Sequence, residues 1–398
     1  MNNQYLNYNR KSHTSFELII LICWILFSVF STYGGYLPGN LGGITRYILL
    51  LWLIIMFLKL GRRIFLVKTD QFLWIIWWCY YFISLAWTDN MSQALMYVFT
   101  VTLMTFLCIF IQYFSYSAVF CGYIIRIFKG VSVSAAFLSI FFFIYTGDGT
   151  RRVLYLFNTY EDPNGQVATI AIGGGLCLYG IFSAHVLKNK ILNFLGFIIC
   201  CFSILQTGSR SGIVILIVQV MIIMLFWHPQ NNNIFKEGAK WIILLVLGVL
   251  AVYFMTNYIS VDIVDRLLGR GSLDFFDGTQ REERWAKGLE YFWQHPIMGN
   301  GWGAFECHNT FLTMLVDIGV LGNLVFYAII VRLYINAYRK KDVSAIMILT
   351  SGLIPAFFIG AQNQRFFWSA IMLASLLTYC KGEKYDHQDI DRKIEGSL

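Results

Sequence analysis

The residues in this chain that could do chemistry are few and of two kinds. His308 stands beside Asn309 at the mouth of an apolar run, and arginines stand at Arg151, Arg152, Arg210, Arg281 and Arg284. Histidine exchanges protons near neutral pH, which makes His308 a candidate base. Arginine presents a planar fork of N–H donors that matches phosphate or carboxylate two bonds at a time. A base near fixed guanidinium groups is equipped to take a proton while negative charge builds on a departing oxyanion. No Cys/His spacing suggests zinc, and no acidic cluster has metal-ligand spacing, so neither a metal nor a cofactor is expected.

These residues need elements to position them. Between Thr256 and His308 lie thirteen charges: Asp262, Asp265, Arg266, Arg270, Asp274, Asp277, Arg281, Glu282, Glu283, Arg284, Lys287, Glu290 and Glu306. Thr279-Gln280-Arg281-Glu282 is a capping box, so a helix is predicted there. It puts Trp285, Leu289 and Phe292 on an apolar face and Arg281, Arg284 and Gly288 on another, and stops at His295-Pro296. Such a helix is expected to lie on the membrane surface or over the bundle, with its arginines turned to a cleft. Gly299-Asn300-Gly301-Trp302-Gly303 follows. A glycine-rich loop of this kind can cradle phosphate, but a tight return to the next span is the plainer reading.

His308, Leu312, Leu315, Gly319 and Gly322 share one helical face, whose small residues permit close helix packing. Asp317 lies about 13 Å deeper, on the opposite side, as a buried partner or part of an ion path. Thr207-Gly208-Ser209-Arg210-Ser211-Gly212 joins two apolar runs with almost no loop. Arg210 is therefore expected at the membrane surface, where the next helix's N-terminus also favours an anion; a snorkelling anchor is the alternative. Between 147 and 165 an outer loop carries Arg151 and Arg152, then Asp162-Pro163-Asn164-Gly165, a turn that caps the next helix. The catalytic candidates are His308, Arg210 and Arg284; the substrate-binding candidates are Arg151, Arg152, Asn164, Arg281 and Asn309.

The chain around them is 58% hydrophobic and 13% charged over 398 residues, with a mean hydropathy of +0.62. Apolar runs of this length indicate an all-α polytopic membrane protein rather than a β-barrel. Twelve spans are predicted, at about 16–36, 44–60, 71–87, 94–112, 130–146, 165–186, 191–207, 211–227, 241–258, 309–335, 344–361 and 366–380. Arg126 and Lys129 make 113–129 an interfacial helix. The chain reads as one integral membrane domain, 1–398, with a large external loop at 256–308 and a polar tail at 381–398. Of its 30 Lys and Arg, all but ten fall on the side that holds both termini, so both termini are expected in the cytoplasm. The ten are Arg46, Arg151, Arg152, Arg210, Arg266, Arg270, Arg281, Arg284, Lys287 and Arg365: nine arginines and one lysine. The net charge of +8 is then mostly topogenic and calls for no nucleic acid. The nine cysteines form no disulfide framework.

Together, His308-Asn309 followed by Gly319 and Gly322, Arg284-Trp285 before His295-Pro296 and Gly299-x-Gly301, Thr207-Gly208-Ser209-Arg210, and Asp162-Pro163-Asn164 resemble the O-antigen ligase/polymerase superfamily. The resemblance runs over about 150–330. It implies a glycosyltransferase of the GT-C type, with about 12 transmembrane helices and a large periplasmic loop carrying short helices, in the bacterial inner membrane. It implies a glycan donor on undecaprenyl diphosphate and a lipid-linked glycan or lipid A-core as acceptor, with no metal and with a chain-length regulator as a candidate partner. In that resemblance Arg210 and Arg284 would bind the diphosphate and His308 would serve the acceptor hydroxyl. A polymerase is preferred to a ligase, and a flippase for the same lipid-linked sugar is the competing class.

Overall fold

The structure, a computed structural model, describes residues 15–30, 43–60, 69–112, 118–146, 151–156, 159–160, 162–227, 234–257 and 281–380. Twelve apolar helices and one amphipathic helix make up nearly all of them. They are α1 Ser15–Phe30, α2 Ile44–Leu60, α3 Thr69–Ile83, α4 Met91–Ile111, α5 Ala118–Phe141, α6 Pro163–Ser183, α7 Leu187–Gln206, α8 Arg210–Phe226, α9 Ile234–Asn257, α10 Arg281–Gln294, α11 Thr310–Arg339, α12 Val343–Ala356 and α13 Arg365–Tyr379. Of these α4, α5, α6, α7 and α11 are long and apolar enough to cross a membrane by length and composition, and α1, α8, α12 and α13 are shorter apolar helices. The result is a polytopic helical membrane protein. Thr279, residues 258–280 of the charged island and the tail after 380 lie outside the described residues.

The bundle is built around α6, which is buried on nearly every side. Three consecutive glycines make this possible. Successive helical positions turn by about 100°, so Gly173, Gly174 and Gly175 face three directions. A Cβ on Gly173 would collide with Ser132 of α5, one on Gly174 would press Cys200 of α7, and one on Gly175 would come within 2.9 Å of both Gln219 of α8 and Met347 of α12. Polar side chains tie the same helices together where no water is at hand. Gln219 Nε2 donates to Ala171 O and to Ser351 Oγ, both at 2.7 Å, and Ser139 meets Ser203 at 2.6 Å. A second core, of Trp74, Trp77, Tyr81, Phe326, Phe367 and Trp368, joins α3, α11 and α13.

Contacts sort the helix ends into two sets. At one end Lys59 pairs with Glu17, Arg332 with Asp70, and Lys340 Nζ donates to Cys380 O at 3.0 Å. The candidate residues gather at the other end, the site end.

Three expectations need correction. The fold is not purely α: β1 Phe143–Thr146, β2 Arg151–Leu156 and β3 Thr159–Tyr160 form a small antiparallel sheet at the site end, with Tyr145 opposite Arg152 and Thr146 opposite Arg151. Residues 118–129 are not a separate interfacial helix, because α5 runs unbroken through them and ends at Phe141. Lys129 is accommodated within it by donating to Asn193 of α7 at 2.8 Å. The apolar run 309–335 is not one straight helix either. Gly319 interrupts α11 with φ 60 and ψ −168.

That break releases backbone groups in apolar surroundings, where each must find a partner. The loop at 295–303 supplies them. Asn300 N donates to Val316 O at 2.8 Å and Gly301 N to Asp317 O at 3.0 Å, while Val320 N and Leu321 N donate to Pro296 O and Ile297 O at 2.9 and 3.2 Å. Asp317, wholly buried, accepts from Ala304 N at 3.1 Å and so holds the far side of the same loop. The loop's other flank rests on the corner between α3 and α4, where Trp302 lies 3.9 Å from Tyr81 between ring centroids and Thr88 Oγ1 donates to Trp302 O at 2.9 Å. Gly322 does pack closely, against Tyr80 of α3.

Gly319 is at positive φ, and a Cβ there would lie 2.5 Å from Gly299 N. Gly319→Ala is therefore expected to cost about 3 kcal/mol or more, from the strain of an extended positive-φ conformation open essentially to glycine alone and from backbone overlap together. Gly130→Ala in α5, where nothing lies within 4 Å, should be neutral or slightly stabilising. Thermal unfolding of the detergent-solubilised chain, followed by size-exclusion chromatography, separates the two.

Candidate active site

Four elements bring charge to one place. The sheet is tied to α6 by Leu154 N donating to Gln166 Oε1 at 2.8 Å. Strand alternation then sends the neighbours Arg151 and Arg152 to opposite faces. Arg152 lies 3.4 Å above the Phe143 ring, a cation–π contact on the sheet's own surface. Arg151 instead falls within electrostatic reach of Asp162 and Arg210. Asp162 is the N-cap of α6, accepting from Asn164 N at 2.9 Å. Arg210 is the first residue of α8 and half-buried.

The turn that carries Arg210 is held from below by Asn164. Ser209 Oγ donates to Asn164 Oδ1 at 2.7 Å, and Ser211 Oγ lies 2.8 Å from Ser209 Oγ and 3.4 Å from the same oxygen. Asn164 was a substrate-binding candidate; here its carbonyl oxygen is engaged in placing Arg210.

Arg281 completes the group from α10. Burial holds its guanidinium below the ordinary arginine value, with Arg151 pushing the same way, Asp162 opposing and Arg210 adding to the fall. Burial likewise lowers Arg151, against the pull of Asp162 and with Arg210 adding to the effect. Three guanidinium groups thus lie within electrostatic reach of one another, with Arg151 and Arg281 partly desolvated, and among the described residues Asp162 is the acid that acts on both of these. Arg151 Nε is buried and has no hydrogen-bond acceptor among the described residues. An anion with several oxygens would satisfy that donor and relieve the mutual repulsion.

From Arg281 the helix leads to His308. Gly288 sits against Cys307, and a Cβ there would collide with its Sγ. Tyr291 stacks on Phe305 with centroids 5.1 Å apart and planes 6° apart. The packed stripe of α10 is Gly288 and Tyr291; of the predicted apolar face, Trp285 and Phe292 are half-buried and Leu289 is 47% exposed. Gly288 allows this closer approach. Seven residues separate it from Arg281, about 10 Å of helix, and Arg284 lies between them on the same face. The geometry brings Arg281, with Arg151 and Arg210, into the cluster, and Arg284 between the cluster and the histidine.

His308 lies just outside α11. Its φ of 52 is uncommon for a residue with a side chain. Asn309 is the N-cap, its Oδ1 accepting from Phe311 N at 3.0 Å and Leu312 N at 3.1 Å. Thr310 Oγ1 donates to Ile359 O and accepts from Ala361 N, at 2.8 and 2.6 Å, fixing this corner to the α12–α13 loop. The backbone N–H groups of Asn300 and Gly301 are spent on α11 carbonyls, so the glycine loop is a structural return and not a phosphate cradle. Among the described residues no three His, Cys, Asp or Glu side chains form a group that could hold a metal ion. Two participants escaped the reading of the sequence. Asp162 was seen as a cap and is also the cluster's acid. Glu306, two residues before His308, was seen only as one charge of the island, yet its Oε1 is 3.5 Å from His308 Nδ1.

A helical membrane protein with an arginine cluster and a histidine at one end of its bundle is a class of molecule rather than a particular one. The comparison with known proteins narrows it: residues 195–327, about a third of the chain, match the family model described as O-antigen ligase. The match supports the O-antigen ligase/polymerase superfamily that the motifs resemble, and with it a glycosyl-transfer activity. It takes in Arg210, Arg281, Arg284 and His308; Arg151, Arg152 and Asn164 lie outside it. No curated protein matches the chain.

Removing the Asn164 acceptor leaves buried serine hydroxyls short of a partner, so Asn164→Ala is expected to lower stability by about 1–3 kcal/mol in thermal unfolding. Cys307 makes a second prediction. Burial pushes its thiol up to about 12, so little thiolate exists at neutral pH. Cys307 should resist maleimide in the folded protein and react only on denaturation, as scored by mass-tag gel shift.

Proposed function

We propose that this chain is a metal-independent membrane glycosyltransferase of the GT-C type, acting at the periplasmic face of the bacterial inner membrane with both termini in the cytoplasm. It moves a glycan from undecaprenyl diphosphate to an acceptor hydroxyl, polymerising the repeat units of O-antigen or another surface polysaccharide. The observation that carries this reading is the convergence of Arg151, Arg210 and Arg281 within electrostatic reach of one another, with Arg284 on the same face of α10 toward Gly288, which packs on Cys307 beside His308. A glycan on a diphosphate is already activated. As the acceptor oxygen bonds to the anomeric carbon, the bond to the diphosphate oxygen breaks and its electron pair leaves with the lipid diphosphate. The guanidinium groups stabilise that growing charge, and His308 takes the proton of the acceptor hydroxyl.

A ligase that passes finished polymer to lipid A-core is the second reading, favoured by the description of the matching family model. The phenotype of a strain lacking the chain separates them. A single repeat unit on the core means polymerase; polymer stalled on the lipid diphosphate means ligase.

In detergent, with no gradient and with chelator present, the purified chain should form glycosidic bonds using the lipid-linked glycan extracted from that strain. No bond formation would favour a flippase instead. His308→Ala and Arg281→Ala should each lower turnover by at least about 100-fold, and Arg284→Lys should lose activity although its charge is kept, because two-bond geometry is lost. Turnover like wild type in His308→Ala would remove the base from the mechanism.

A further inference from the structure

Glu306 has no part in the mechanism above, yet its surroundings are specific. Its Oε1 lies 3.5 Å from His308 Nδ1. It is reached there from the opposite side by the α12–α13 loop, where Gly360 leaves room: a Cβ at 360 would come within 2.6 Å of the same oxygen. The backbone on both sides of His308 is held as well. Cys307 N donates to Thr313 Oγ1 at 3.1 Å, and Asn309 is locked as the cap of α11. Between these two fixed points His308 adopts φ 52, a conformation that a residue with a side chain keeps only when its neighbours impose it. Other charged groups on the elements that meet here have other places. Asp317 of α11 is buried beneath the loop, and Lys287 of α10 lies 5.6 Å from the Phe305 ring. Arg284 stands one turn before Gly288, and Arg365 begins α13.

We propose that Glu306 is the positioning residue for His308: its carboxylate accepts the Nδ1 proton, fixes the ring's tautomer and orientation, and leaves Nε2 free to take the acceptor's proton. The inference rests on the reading of His308 as the base. A carboxylate so placed also stabilises the imidazolium that forms once the proton has moved, and the proton leaves the site from Nε2. Glu306 is nearly half exposed, so replacing it removes little packing.

The test uses the full-length chain in detergent, with the lipid-linked glycan fraction extracted from a strain lacking it as donor and acceptor. Glu306→Ala is expected to lower kcat by about 100-fold while KM and Tm stay near wild type. Glu306→Gln, whose Oε1 still accepts from Nδ1, should recover part of the loss. Formate should restore Glu306→Ala but not His308→Ala. Gly360→Ala, whose methyl displaces the Glu306 carboxylate while Glu306 and His308 themselves stay unmutated, should lower kcat in the same sense. Wild-type kcat in Glu306→Ala, a loss confined to KM or Tm, or no response to formate would overturn the proposal while leaving an inactive His308→Ala, and so the base, in place. Full turnover in His308→Ala would overturn both.

Discussion

The site depends on a debt of backbone hydrogen bonds at Gly319. A helix broken in apolar surroundings exposes carbonyl and N–H groups that neither lipid nor aliphatic side chains can satisfy. Here a single loop answers that need, giving N–H groups to Val316 and Asp317 and taking them from Val320 and Leu321. The loop is thereby fixed in register to α11. Because α10 precedes the loop and His308 follows it, both ends of the candidate site take their positions from one set of main-chain bonds. The buried Asp317 adds a side-chain tie to the same segment, accepting from Ala304 N.

Around that fastening the charges come from segments far apart in sequence. Arg151 comes from a strand, Arg210 from the first turn of a helix, and Arg281 from the start of another. No single segment would bear such a concentration of like charge without repulsion. Spread over three elements, each guanidinium is held by its own scaffold, and their mutual repulsion is one that a bound anion would relieve. Such preorganisation is the usual source of electrostatic stabilisation in enzymes.

Much of this was legible in the residues, for a physical reason: hydropathy sets where helices run, and the arginines of the outer loops had no topogenic explanation. Apolar helices lie at the twelve predicted positions, five of them long and apolar enough to cross a membrane, and α5 begins twelve residues before its predicted span. What could not be read was decided by contacts between distant segments. A glycine that lets two helices touch and a glycine that breaks a helix look alike in a sequence. Gly322 is the first kind and Gly319 the second, and the loop at 295–303 makes the difference. Likewise Arg281 and Arg284 share a face, and which of them joins Arg151 is set by where Gly288 seats α10 against Cys307. The strand Phe143–Thr146 was hidden because its apolar residues continue those of α5 without interruption.

The break in α11 also divides it into unequal parts. Residues 320–339 rise about 30 Å, the thickness of a bilayer's hydrocarbon core. Two turns before one end of that rod Arg332 meets Asp70, and the other end carries the loop that seats the site. The rod acts as a ruler. Its fixed length sets how far the arginine group stands from the Arg332–Asp70 pair toward the opposite end of the bundle.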